Sequence, residues 1–379
     1  MRINRLAAGL AVLTVGLTAC GREVGGDAAD DPTSDGTSTA TEAAATAECE
    51  EGETDGDLVF YNWSDYIDPE LITQFEEEHG VSVTSDYYPS NEELLAKVQS
   101  GGSGYDVIVP SDYMVNIMRE EGILLPLDKD AIPNHVNVAD EFADPPFDPG
   151  NQFSLPYQWG TTGLGVDTAV VGEDVEASWD LIFDPETASQ YSGQIALLDD
   201  PRETMAAALY YLGYSPNTTS DEELQEASDL IAEAKQHIAA FDSNLYTDLL
   251  LSGEVAISHG FSGNYFAAFA EAENPDQYRY LIPLEGATKW VDTMAVLADA
   301  PHPCTGHTFI NFLLDAENGA QLTNWNYYGS PNAAAEEHIL PEILEDPAIY
   351  PPDDADLFFL EDTGDAEILY NDLFTRAKS

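Results

Sequence analysis

Strand-like apolar runs that alternate with helix-period segments constrain this chain more than any other feature. Leu58–Tyr61 reads as a strand, and Pro69–His79 as a helix with Leu71, Ile72 and Phe75 on one face. Val81–Tyr87 reads as a second strand, Glu92–Gln99 as a helix, Asp106–Val109 as a third strand, and Tyr113–Glu121 as a helix closed by Gly122. Strands joined through helices pair in parallel, and a parallel sheet needs helices on its faces. Between Leu127 and Phe153 the pattern blurs, with Pro133, Pro145, Pro146 and Pro149 marking loops. It resumes with a strand at Gln194–Leu198, helices at Glu203–Leu212 and Glu222–Ala239, a strand at Ala256–His259 and a helix at Phe261–Ala272. Strands at Tyr278–Ile282 and Val291–Leu297 then precede helices near Thr308–Leu314 and Ala316–Thr323. The expected fold class is α/β in two lobes, and ligands of such sheets sit beyond the carboxyl ends of the strands.

The residues at those strand ends are unusual. Asn62-Trp63-Ser64-Asp65-Tyr66 follows the first strand, and Pro110-Ser111-Asp112-Tyr113 the third. Asp199-Asp200-Pro201-Arg202-Glu203 and Gly260-Phe261-Ser262-Gly263-Asn264 follow later strands. Trp290-Val291-Asp292 opens another, and Tyr327-Tyr328-Gly329-Ser330-Pro331 lies further on. Taken singly, a Trp is ordinarily core and an Asp at a helix start is ordinarily a cap. Five or six such points at corresponding strand ends exceed what capping requires. Aromatic faces attract ammonium groups by roughly 0.5–2 kcal/mol each. Carboxylates such as Asp65, Asp200, Glu203 and Asp292 hold charged ends through charge-assisted hydrogen bonds. An aromatic sleeve with acidic ends fits an alkyl chain bearing an amine at each end, and fits a phosphate, sulfate or sugar acid poorly.

Net charge narrows the classes further. The chain carries 71 Asp and Glu against 12 Lys and Arg, a formal charge of −59. A phosphate-binding surface needs clustered bases, so nucleic acid is excluded, as is docking on an anionic membrane through a basic patch. A hydrophobic fraction of 44% separates the chain from disordered acidic sequences. Residues 58–379 hold 59 acids and nine bases, so the excess belongs to the folded body. It reads as a hydrated, self-repelling surface, with attraction of cations as a by-product.

Location is written in the first fifty residues. Arg2 and Arg5 precede an apolar run, Leu6–Leu17, too short to span a bilayer permanently. Leu17-Thr18-Ala19-Cys20 looks like a bacterial lipobox, with Cys20 carrying the lipid. Residues 1–19 are the expected signal peptide and 20–57 a disordered acidic tether. Two further cysteines, Cys49 and Cys304, sit in an oxidising compartment and are candidates for a disulfide. The rival is metal binding by the His302, Cys304 and His307 cluster, which lacks a nearby fourth ligand.

The same segments resemble the substrate-binding lipoproteins of bacterial spermidine/putrescine ABC transporters. The resemblance runs from about Leu58 to the C-terminus. It is carried by Phe60–Tyr66, Tyr105–Ser111, Leu155–Thr161, Asp200-Pro201-Arg202-Glu203, Trp290-Val291-Asp292 and Tyr328-Gly329-Ser330-Pro331-Asn332. It implies a two-lobe periplasmic-binding-protein fold of type II, each lobe a mostly parallel sheet flanked by helices, with the ligand cleft between them. Residues 58–162 with about 290–335 form the expected N-terminal lobe, and about 163–289 with 336–379 the C-terminal lobe. Carried over by position, Trp63, Tyr66, Tyr113, Trp290 and Tyr328 form the aromatic walls and Ser111 a polar contact. Asp65, Asp200, Glu203 and Asp292 are the implied carboxylates. Phe261 stands where spermidine-binding relatives usually have Trp, and Asn264 where a putrescine-preferring relative has a carboxylate. Glu361 or Asp362 is placed near the site. The implied function is capture of a polyamine, spermidine or putrescine, and its delivery to the membrane permease of an ABC importer. No catalysis, cofactor or metal is expected, and a monomer is. The competing classes are a binder of another cationic solute, a ferric-iron binder using Tyr327 and Tyr328, and a carboxylate-dependent glycoside hydrolase.

Overall fold

The protein's computed structural model describes residues 47–352 and 355–379, so the expected signal peptide, Cys20 and most of the tether lie outside the described residues. The strands are β1 (Leu58–Trp63), β2 (Val83–Tyr88), β3 (Val107–Ile108), β4 (Ser154–Asp167), β5 (Ile195–Leu197), β6 (Ile238–Phe241), β7 (Ile257–Phe261), β8 (Tyr278–Leu281), β9 (Ala287–Val296) and β10 (Leu357–Phe358). β1 pairs in parallel with β2 and β3, joined by the helices Pro69–His79 and Asn91–Val98. The Asp68 carboxylate caps the first of these helices, and Gly80 (φ 70°) ends it in the left-handed region that favours glycine. In the second half of the chain β5 is parallel to both β6 and β7.

β4 and β9 join these two parallel sets. They run antiparallel from the pair Ser154–Ala295 to the pair Thr162–Thr288. The end of β9 pairs with β3, and the second half of β4 pairs with β7 and β8. The path through the sheet is β2-β1-β3-β9-β4-β7-β5-β6, so the two long strands cross from one lobe to the other. One apolar cluster runs unbroken from Tyr61 and Met114 to Leu197 and Tyr370, and the described residues form a single compact unit.

Four differences from the sequence reading have physical causes. β4 has no counterpart in it, because Pro156, Gly160, Gly163 and Gly165 look like loop punctuation. Those glycines are there for close packing: a Cβ on Gly160 would lie 2.8 Å from the Trp290 ring, and one on Gly165 2.1 Å from Tyr265. The helix expected over Glu222–Ala239 stops at Ala234, and Ile238–Phe241 is strand β6. Residues 47–57, assigned to the tether, are packed on the body. A disulfide joins Cys49 to Cys304, and Asp55 accepts the Thr305 N–H at 3.0 Å, capping the helix Pro303–Leu313. Finally, Ile339 and Ile343, assigned to the C-terminal lobe, pack on Ala320 of the helix Ala316–Asn326, whose Leu322 shares a core with Leu58 and Phe60. The helix Glu367–Lys378 does pack with the C-terminal lobe, through Tyr370, Leu373 and Phe374.

Candidate functional site

All eleven residues singled out for ligand contact line one cleft between the lobes: Trp63, Asp65, Tyr66, Ser111, Tyr113, Asp200, Glu203, Phe261, Trp290, Asp292 and Tyr328. The cleft has about 790 Å³ of unfilled space, part of it open to solvent. Parallel pairing puts the carboxyl ends of β1 and β3 on one edge and those of β5 and β7 on another, and both edges border the cleft, which is why short segments far apart in sequence meet here.

The aromatic wall is a connected set of edge-to-face contacts. Tyr66 lies 5.1 Å from Tyr328 and 6.4 Å from Trp290, ring centroid to centroid. Trp290 meets Phe261 at 6.0 Å and Tyr328 at 5.2 Å. Gly160 lets Trp290 lie close against β4, where its indole N–H donates to Thr162 Oγ1 at 3.1 Å. Trp63 is held by its indole N–H donating to the Val109 carbonyl and by the Tyr88 ring at 4.6 Å. The Tyr328 hydroxyl donates to Asn264 Oδ1 at 2.9 Å, linking the two lobes across the cleft.

The carboxylates divide sharply by environment. Asp200, Glu203 and Asp292 are only 4, 7 and 5% exposed, whereas Asp65 is exposed at the cleft mouth with φ 52°. Asp292 accepts the Ser111 hydroxyl at 2.6 Å, and Ser111 is in turn held by Asn91 Nδ2 at 3.0 Å. Asp200 caps the helix Pro201–Leu212, its Oδ1 accepting the Arg202 and Glu203 N–H groups. Glu203 Oε2 is buried without a partner. Burial pushes the Asp292 carboxyl up to about 7. Burial and then the neighbouring Asp200 charge push Glu203 up to about 8, and burial pushes Asp112, which also lines the cleft, to about 8. Just behind, Glu92 accepts the Tyr113 hydroxyl at 3.0 Å; burial and then Asp200 push it to about 7. The base lining the cleft is Arg202, and its guanidinium already pairs with Glu367. The arrangement is a set of buried carboxyls whose ionised forms burial disfavours, and a cationic ligand stabilises those forms.

Several cleft residues escape the sequence reading. Tyr88 and Asn91 sit one strand over, and Ser243 and Asn244 follow β6, whose first two residues the sequence assigns to the end of a helix. Asn91 and Ser111 look like helix-start polar residues, a signal that conceals their hydrogen bonds to each other and to Asp292. Glu361 and Asp362 do not line the cleft. Leu360 does, while its two acidic neighbours line a separate cavity behind β9, where Asp362 accepts Asn116 Nδ2 at 3.0 Å. Tyr327 caps the helix Ala316–Asn326 with φ 62° and does not line the cleft, so the adjacent tyrosines do not act as a pair. Cys304 is spent in the disulfide and His307 Nε2 accepts the Asp128 N–H at 3.0 Å, so the histidine–cysteine cluster is otherwise engaged.

Comparison with known proteins gives a consistent family. A family model described as bacterial extracellular solute-binding protein matches residues 70–351. A putrescine/cadaverine-binding protein of Pseudomonas aeruginosa is 38% identical over 300 residues, covering 78% of this chain and 84% of its own. A spermidine/putrescine-binding periplasmic protein of Salmonella typhimurium is 35% identical over 327 residues, covering 85% and 91%. Among solved structures, a putative spermidine/putrescine ABC transporter protein from Listeria monocytogenes superposes with a TM-score of 0.80 at 35% identity, covering 86% of this chain and 99% of its own. The chain belongs to the bacterial extracellular solute-binding protein family, and the two-lobe periplasmic-binding-protein fold is its fold.

Proposed function

We propose that this member of the family captures a polyamine outside the cytoplasm and delivers it to the membrane permease of an ABC importer. One observation carries the reading: Asp200, Glu203 and Asp292 are buried in an aromatic cleft whose base, Arg202, is already paired with Glu367. Ammonium groups spaced along an alkyl chain supply the missing charges, and the stem lies against Trp63, Tyr66, Phe261, Trp290 and Tyr328. The polyamine-binding names of relatives at 35–38% identity support the same ligand class. Asp200 and Glu203 take one amine end, Asp292 with Ser111 an inner amine, and Asp65 meets the ligand at the mouth. The aromatic and acidic lining performs binding without catalysis, and the protein acts as a monomer held at the membrane by a lipid on Cys20.

Calorimetric titration of the lipid-free protein with putrescine, spermidine, spermine and ferric citrate tests this. Heat and a thermal shift are expected with at least one polyamine and none with ferric citrate. Silence with all three polyamines would sink the reading.

A further inference from the structure

In a body with nine bases, one lysine is boxed in by aromatic rings away from the ligand cleft. Lys289 precedes Trp290 on β9, so strand alternation turns it to the opposite face of the sheet. Its Nζ lies 4.4 Å from the Trp159 ring centroid, 5.8 Å from that of Phe142 and 5.7 Å from that of Phe359. Glu141 Oε1 pairs with it at 2.7 Å, and the side chain is 16% exposed.

These partners come from both lobes. Glu141 and Phe142 belong to the segment tied to the N-terminal lobe by the Ala139 N–H donating to the Pro331 carbonyl at 2.9 Å. Trp159 is on β4. Phe359 follows β10, and its carbonyl accepts Asn217 Nδ2 at 2.8 Å; Asn217 Oδ1 also accepts from Arg202 on the Pro201–Leu212 helix of the C-terminal lobe. Between the two sides lies the cavity behind β9, with about 1300 Å³ of unfilled space, part of it open to solvent. A rotation about β4 and β9 that opens the cleft in front changes the separation of Phe142 and Phe359 behind. A caged, largely desolvated ammonium resists that change in either direction because its contacts are short-ranged.

We propose that Lys289 is a positioning residue for closure: caged by Phe142, Trp159 and Phe359 and paired with Glu141, it ties the lobes behind the crossover strands while the cleft closes in front. The inference rests on the reading that the cleft closes over a cationic ligand. Lys289 touches no ligand, so its effect falls on the rate at which the closed complex opens.

Lys289→Met keeps the stem and removes the charge, and Lys289→Arg restores a charge. Stopped-flow tryptophan fluorescence with spermidine, and small-angle scattering of the ligand-free proteins, read the result. Lys289→Met is expected to release spermidine 3- to 10-fold faster, with association within twofold of wild type and a larger ligand-free radius of gyration. Lys289→Arg is expected to recover the wild-type release rate within twofold. Unchanged release and scattering in Lys289→Met overturn the proposal, as does an equal defect in Lys289→Arg. If Lys289→Met fails to fold, Phe359→Leu attacks the same box and is expected to speed release in the same direction; unchanged release there overturns it too. If wild-type protein answers to no polyamine, the proposed function fails, while the scattering comparison still judges Lys289.

Discussion

On one face of β4 and β9, Trp290 and Asp292 look into the ligand cleft; on the other, Val291 and Thr293 line the rear cavity and Lys289 fills an aromatic box at its edge. Both faces offer aromatic rings and carboxylates. In the rear, Glu141 has Lys289. In front, Asp292 meets neutral hydroxyls, Ser111 foremost, and Glu203 Oε2 has no hydrogen-bond partner among the described residues. Acidic and aromatic lining is therefore not what distinguishes a cation site in so acidic a chain. The distinction lies in which buried anions lack a cation of the protein's own.

The largest break of that contrast is Asp292→Asn. The amide preserves size and can still meet Ser111, so the fold should survive, but the inner ammonium loses its counter-ion. Removing one member of a buried charge pair costs about 2–5 kcal/mol. Spermidine affinity measured by calorimetry should fall about 30-fold or more, chiefly through faster dissociation. A variant that binds within threefold of wild type would show that the inner carboxylate has been misplaced.

Glu203→Gln separates binding from stability. The native carboxyl is buried, Oε2 has no hydrogen-bond partner among the described residues, and burial pushes it up to about 8, so ionising it costs the ligand-free protein stability that an amide does not lose. The amide should weaken polyamine binding by at least tenfold while raising the ligand-free midpoint of thermal unfolding by about 1–3 °C. A lower midpoint together with weak binding would mean that Glu203 is structural.

Titration sharpens the same point. In the unfolded chain these carboxyls ionise near pH 4. In the ligand-free fold, burial first, and Asp200 second for Glu92 and Glu203, hold protons on Asp292 and Glu92 to about 7, and on Asp112 and Glu203 to about 8. Groups with raised values contribute stability that is present below pH 4 and is lost as pH rises through 7 to 8. Thermal midpoints of the ligand-free protein should fall between pH 5.5 and 8.5, and fall less in Glu203→Gln. Cation binding favours the ionised forms, so spermidine affinity should rise from pH 6 to 8 with protons released. Calorimetry in two buffers of different ionisation enthalpy measures that release, and equal heats in both would contradict it.

How much of this was legible in the sequence follows from what each residue must satisfy locally. The helix Pro69–His79 is readable to its ends because Asp68, Pro69 and Gly80 are local signals. The cleft residues are readable because each parallel set delivers its carboxyl ends to an edge that borders the cleft, and the resemblance then assigns roles to Trp63, Asp200 and Asp292. β4 is not readable, since its glycines answer to Trp290 and Tyr265, rings that arrive from 130 and 100 residues downstream. The strap at residues 47–57 is half legible: Cys49 and Cys304 stand out as a candidate pair, but Asp55 looks like tether until it caps a helix 250 positions away. Nothing in the sequence singles out Lys289, because three of its partners, Glu141, Phe142 and Phe359, come from a single short 3₁₀ turn and a loop.

The smallest expected effect belongs to Asp65, and it tests whether burial alone ranks the carboxylates. Asp65 lines the same cleft as Asp292 but is exposed at its mouth, held at φ 52° in a conformation that Asp tolerates better than most residues. A solvated charge is screened over about 8 Å at physiological salt, and a rim charge acts mainly on encounter. Asp65→Asn should therefore lower spermidine affinity about two- to fivefold, through slower association, and the difference from wild type should vanish near 1 M salt. The release rate should stay within twofold. If instead Asp65→Asn speeds release as strongly as Asp292→Asn, the mouth carboxylate is desolvated in the complex. The lobes would then close further over the ligand than they do here, bringing Asp65 into the same class as the buried anions.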